Sequence, residues 1–344
     1  MSDVLVNPVL TLSLTKGVVY SLAFSPDGQK IAGSGGVLWS LFLGKENVIR
    51  IWDSRSGSLC SKLPEHLNFV SAVAFSSDGS TLISGSLDGT IKLWDARTFL
   101  TQFTIDESSP TPWRFDGKPL RMSLPKIDSI ALHPNQQWIA AGDISGGVTL
   151  WDIQSREKLT VVGKHEAFTS IAFSPDGTLL ATCDDHAGYN LFDVPSGRRV
   201  YPPPGKFVFG RLDGTDWATF APQLKTSMFS PDGKVLAGGC YRGTIRLWDV
   251  ETGNEICKIK GSTVKGVKAR ISSLIFSKNG NHLISADCNG KIKVWDLQTQ
   301  QCMCVLEGHS REICSIALSP DGNTLVSSSL DRTVRFWRSS FLSK

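Results

Sequence analysis

The side chains best able to do chemistry are six histidines and eight cysteines, and their spacing decides what they can do. His186 follows Asp184 and Asp185, a polar trio able in principle to hold a metal ion or move a proton. It stands alone, because no H-E-x-x-H pair, phosphate-loop signature or G-x-S-x-G nucleophile elbow accompanies it. The glycines Gly33 to Gly36 run into the apolar stretch VLWSLFL instead of a helix, so they make no phosphate cradle. Cys60, Cys183, Cys240, Cys257, Cys288, Cys302, Cys304 and Cys314 include no CxxC pair, although Cys302 and Cys304 form a CxC in a strand-like run. They read as small buried hydrophobes of a reducing, cytoplasmic protein, and neither a metal site nor a cofactor is expected.

The composition around these residues is that of a folded chain. At 41% hydrophobic and 20% charged residues, enough apolar surface is available to offset the entropy of ordering. A net charge of +4 is too small to require nucleic acid as a partner. No apolar run approaches the roughly 18 residues of a membrane span. MSDVLVNPVL at the start lacks the basic-then-apolar order of a secretory signal.

The elements that must position the chemistry repeat along the chain. Seven short turns follow apolar strands: FSPDG at Phe24, FSSDG at Phe75, LHPNQ at Leu132, FSPDG at Phe173 and Phe229, FSKNG at Phe276, and LSPDG at Leu318. Pro presets φ, Asp or Asn bonds its own backbone and Gly accepts positive φ, so each reads as a hairpin turn. Seven alternating strands end in Trp52-Asp53, Trp94-Asp95, Trp151-Asp152, Phe192-Asp193, Trp248-Asp249, Trp295-Asp296 and Trp337-Arg338. Turn aromatic and strand aromatic lie 19 residues apart in six units and 28 apart in the first. Such spacing predicts repeats of four short antiparallel strands, a to d, with the turn joining a to b and the second aromatic ending c. A sheet with two apolar faces must stack on neighbours, and a ring leaves the fewest exposed edges.

In these residues the chain resembles the WD-repeat β-propellers. The resemblance implies an all-β, seven-bladed propeller and a buried tetrad of His, Ser or Thr, Asp and Trp in each complete blade. Unit two matches with His66, Ser84, Asp88 and Trp94, and unit seven with His309, Ser327, Asp331 and Trp337. Unit four keeps His165 and Thr182 but has Phe192 for Trp, with Asp185 near the Asp position. The cluster at His186 is then a distorted tetrad turn. Units one, three, five and six lack the full set and are expected to be locally softer. The blades are expected near residues 17–63, 64–105, 122–162, 163–201, 223–260, 269–306 and 307–344, within one propeller. Family practice implies that Val9 to Leu14 complete the last blade.

The irregularities of the repeat carry the functional expectation. Unit one has nine extra residues in its b–c turn, and the d–a connections after units two, four and five are lengthened. In an antiparallel four-stranded blade, b–c and d–a connections emerge at the same end, so all four insertions decorate one face of the disc. Those loops, residues 37–45, 106–121, 201–222 and 258–270, hold Trp39, Leu41, Phe42, Leu43, Trp113, Arg114, Phe115, Phe207, Phe209 and Trp217. Aromatics on loops anchor binding hot spots, or else pin the loops to the disc. A basic flank adds Arg242, Lys265, Lys268 and Arg270, which suits an acidic or phosphorylated peptide. WDSR and WDAR, ending at Arg55 and Arg97, resemble the WDxR ending of cullin-ligase substrate receptors.

The expected function is a non-catalytic scaffold that presents the insertion-bearing face to a partner protein or peptide. Peripheral membrane association through the apolar 37–45 loop is the main alternative, and nucleic-acid binding a weaker one.

Overall fold

The computed structural model describes residues 4–36, 47–106, 114–115, 118–119, 127–143, 146–164, 168–184, 188–194, 196–201, 224–261, 263–264 and 267–338. Among them regular structure is entirely β, arranged as seven antiparallel four-stranded blades. Blade two is representative, with strand a at Val70–Phe75, b at Thr81–Ser86, c at Thr90–Asp95 and d at Thr101–Asp106. Strand a of the other blades is Val18–Phe24, Ile127–Leu132, Phe168–Phe173, Leu224–Phe229, Ile271–Phe276 and Ile313–Leu318.

Local chemistry places each turn where the repeat predicts it. In the first a–b turn, Asp27 Oδ1 accepts from the Ser25 hydroxyl and the Gln29 amide, and Ser25 Oγ accepts from Lys30 N at 2.9 Å. Gly28 takes φ +69°, which L side chains avoid. The Asp of each Trp-Asp pair has a similar task at the c–d turn. Asp95 Oδ1, for example, accepts from the Arg97 and Thr98 amides at 3.0 and 2.6 Å. These bonds hold its carboxyl below the usual range.

Strand a of each blade packs on strand a of the next, and the seventh packs on the first, so the strands form a closed inner ring. Serines stitch this ring. Ser21 Oγ accepts from Val73 N at 3.3 Å, Ser170 from Ser227 N at 3.2 Å, Ser273 from Ile316 N at 3.3 Å and Ser315 from Leu22 N at 3.2 Å. Each bond crosses to the following blade, including the step from the last to the first. On the face of the a–b turns, Pro26, Pro175, Pro231 and Pro320 pack against Gly79, Gly233, Gly280 and Gly28 of the next blade. His133 takes this role in blade three, with Nε2 2.9 Å from the Gly177 carbonyl oxygen.

The apolar core is distributed in the same way, as seven clusters that each join two adjacent blades. Between blades seven and one, Phe336, Val334 and Val326 meet Trp52, Ile31 and Val19. Burial of each large side chain contributes about 1.5–3 kcal/mol, so stability depends on stacking and not on any single sheet.

Leu10–Ser13 pairs antiparallel with Thr333–Arg338, setting Leu12 opposite Val334, so the outer strand of blade seven comes from the N-terminal segment. Val4–Val6 adds a strand that the sequence pattern did not suggest, running parallel to Cys302–Leu306 on blade six. Pro8, which lacks an N–H, lies between the two strands where the chain steps from one blade to the next.

Candidate functional site

Two blades carry complete tetrads, and the repeat geometry explains why. On strand b the residue two places beyond the partner of the c-strand aromatic lies over its ring. In blade seven, Leu325 pairs with Trp337, which puts Ser327 in that place. Trp337 Nε1 donates to Ser327 Oγ at 2.8 Å, Ser327 lies 2.7 Å from His309 Nε2, and His309 Nδ1 lies 2.8 Å from Asp331 Oδ2. Asp331 Oδ1 also accepts from Thr333 N at 2.9 Å. Burial would raise the Asp331 carboxyl, but bonds from His309 and Thr333 outweigh it and hold the group far below its ordinary range. An ionised Asp331 requires the proton on His309 Nδ1, so Nε2 accepts from Ser327 and the chain of donors runs Trp to Ser to His to Asp. Blade two repeats this with Trp94, Ser84, His66 and Asp88, at 2.9, 2.7 and 3.0 Å.

The remaining blades depart in readable ways. Blade six keeps only Ser285 and Trp295, bonded at 2.8 Å. In blades one and five the serine place is Gly33 or Gly238, where an added Cβ would stand 2.5 or 2.7 Å from Cζ3 of Trp52 or Trp248. In blade four Phe192 offers no donor, and the buried Thr182 hydroxyl has no partner among the described residues. His165 and Asp185 lie outside the described residues, as does His186. His66 and His309 are therefore bound into the frame, each with both ring nitrogens hydrogen-bonded.

Connectivity puts the long connections together. The first insertion lies between Lys30–Gly36 and Val48–Asp53, a b–c connection. The others follow strand d of blades two, four and five, at Thr101–Asp106, Arg199–Tyr201 and Glu255–Lys260. All four leave the sheets at the end where strand a begins. Trp39, Leu41, Phe42, Leu43, Trp113, Phe207, Phe209, Trp217 and Lys265 lie outside the described residues. Arg114–Phe115 pairs with Lys118–Pro119 as a two-residue ladder, and Thr263–Val264 with Val267–Lys268 as another, so two of the long connections contain small hairpins.

The basic flank is more structured than a loop. Lys258 and Lys260 belong to strand d of blade five, where they are exposed and alternate with buried Cys257 and Ile259. Arg242 is exposed in a b–c turn. Arg270 is committed within the protein. Its guanidinium contacts both Glu312 oxygens at 2.6 and 2.7 Å and lies 5.4 Å from the centroid of the Tyr241 ring.

Sequence reasoning passed over a ring that lies beside these groups. Every strand a carries a bulge near its first residue, and the extra residues are Tyr20, Ser71, Asp128, Thr169, Lys225, Ser272 and Cys314. They collect where the inner ring meets the insertion-bearing face. Burial raises the Asp128 carboxyl, with Lys225 opposing. Burial likewise pushes the Cys314 thiol up to about 12, helped by Glu312 and Asp331. The Tyr20 hydroxyl rises for the same first reason, with Asp128 and Cys314 adding to it. A polar residue four places before each turn aromatic was the available signal. No group of three or more potential metal ligands occurs among the described residues.

Comparison with known proteins agrees with this geometry. The family model described as WD domain, G-beta repeat matches residues 7–53, 57–95, 120–152, 156–187, 223–249, 257–296 and 300–338. Periodic tryptophan protein 2 of Arabidopsis thaliana is 26% identical over 71% of this chain, which spans 23% of that relative. Autophagy-related protein 16 of the same plant is 27% identical over 63% of this chain and is spanned over 38% of its own length. Target of rapamycin complex subunit wat1 of Schizosaccharomyces pombe is 25% identical, over 70% of this chain and 67% of the relative. The chain thus spans well under half of the first two relatives. With seven matched repeats and the tetrads in place, the chain belongs to the WD-repeat family.

Proposed function

We propose that the chain is a non-catalytic protein-interaction scaffold whose insertion-bearing face receives a partner protein or peptide. The observation that carries this reading is the common exit of the four long connections at one end of the blades, while the a–b turns stay short. A closed ring held by seven inter-blade clusters and crossed serine bonds presents such loops with little further loss of entropy on binding. One relative is named as a complex subunit, which supports the same general role. Trp39, Leu41, Phe42, Leu43, Trp113 and Trp217 would supply aromatic and apolar anchors, with Arg242 as an exposed basic neighbour. The eight cysteines, spread through strand-like segments without a CxxC pair, support a reducing, cytoplasmic setting.

The test removes residues 37–45, restoring the regular spacing of the repeat, and compares proteins captured by wild type and variant at matched stability. Loss of specific partners with an unchanged melt is the expected result. An unchanged set of partners refutes the assignment of this loop, and new retention on lipid vesicles by the wild type alone would move the reading to a membrane surface.

A further inference from the structure

The face opposite the insertions has a feature of its own. A cavity of about 530 Å³ opens across blades six, seven and one, lined by Lys278, Arg338 and Arg55 together with Asp27 and Asp321. Two of the three cations are departures from the repeat. Lys278 stands where four other a–b turns use the proline that packs on the next blade's glycine. Arg338 stands where six blades have the aspartate that caps the c–d turn. Topology permits the second change. Blade seven takes its outer strand from Leu10–Ser13, so its c and d strands are not consecutive in the chain and position 338 has no c–d turn to cap.

The acids in the cavity do not neutralise these cations by contact. Asp27 Oδ1 is occupied by Ser25 and Gln29, and Asp321 binds Ser319 and Asn323. Both carboxyls are held below the ordinary range by those bonds, the serine hydroxyl first. Among the described residues, Arg55, Lys278 and Arg338 are exposed and make no ion pair. Three exposed cations on three successive blades, with Asp27 and Asp321 bonded within their own turns, form a track, not a point.

We propose that this groove binds an extended acidic segment of a partner protein, one carrying several carboxylates that meet Lys278, Arg338 and Arg55 in turn. The site is separate from the insertion-bearing face, so it stands or falls independently of the proposed function. A fluorescein-labelled oligo-glutamate peptide, followed by anisotropy on the full chain, tests it. The expected result is saturable binding that weakens with added salt. The double variant Lys278→Glu, Arg338→Asp should raise Kd about tenfold or more, Arg338→Lys should retain binding, and Arg198→Glu, at an exposed position in the c–d turn of blade four, should leave it unchanged. The substituted side chains are exposed, and an unchanged melt verifies the fold of each variant. Absence of saturable binding, equal affinity in the double variant, or equal loss in the Arg198 variant overturns the proposal. Displacement of the peptide by millimolar inorganic phosphate overturns the commitment to an extended chain.

Discussion

Removing one hydroxyl from blade seven should cost far more than removing its counterpart in blade six. Ser327 Oγ serves two buried partners, Trp337 Nε1 at 2.8 Å and His309 Nε2 at 2.7 Å, and Ser327 and Trp337 are both fully buried. Ser327→Ala orphans both, and each abandoned buried group costs about 1–3 kcal/mol, so the loss should be about 2–6 kcal/mol. Ser285 in blade six serves Trp295 alone, at 2.8 Å, so Ser285→Ala should cost about 1–3 kcal/mol. Thr182 in blade four has no partner among the described residues, and Phe192 replaces the indole donor. Thr182→Val should therefore be neutral or stabilise by about 1 kcal/mol. Urea unfolding of the full chain at fixed pH and salt, with the m-value checked for constancy, reads the three changes on one scale. Equal losses at Ser327 and Ser285, or a loss under about 0.5 kcal/mol at Ser327, would refute the view that bond number in the tetrad sets the stability of a blade.

Three further outcomes follow from the same geometry. Asp88 and Asp331 titrate below their ordinary 3.8 in the folded chain, so their contribution is complete above that pH and is lost as pH falls through the folded value. Asp331→Asn should accordingly flatten the fall of the urea midpoint on acidification below 3.8, measured against wild type. Gly238→Ser, although it restores the residue type of the complete blades, should destabilise by about 1–3 kcal/mol because the Trp248 ring already fills the space. Unchanged or higher stability on thermal melting would contradict that. Exposed Cys60 should alkylate with iodoacetamide at mildly alkaline pH, whereas Cys314, with its thiol pushed up to about 12, should stay unmodified by peptide mass spectrometry until the chain unfolds.

Much of this architecture was legible in the residues because a repeat states its own alignment. A Pro-Asp-Gly turn can adopt few conformations, and its recurrence at a fixed distance from an aromatic placed strands a, b and c of each blade without reference to any contact. His66 and His309 could be assigned to the frame for the same reason, since their partners fall at the same offsets in both blades. Serines stand three places before the turn aromatic in five of the seven units, with Ala72 and Thr226 in the other two. Their role was hidden because it lies between blades, where Ser315 meets Leu22 across nearly the whole length of the chain.

Local conformational preference and the order of connections set the number of blades, the turn chemistry and the end of the blades from which the long connections leave, and all three can be read along the chain. Tertiary structure decided what neighbouring blades make of each departure from the repeat. Only stacking could show that Gly33 and Gly238 yield their space to a tryptophan ring, and that the Arg270 charge is spent on Glu312. The groove of Lys278, Arg338 and Arg55 belongs to the same class, since it joins residues far apart in sequence at the junction where the ring closes. Interactions within a blade are set by spacing along the chain, whereas those between blades depend on which surfaces closure brings into contact.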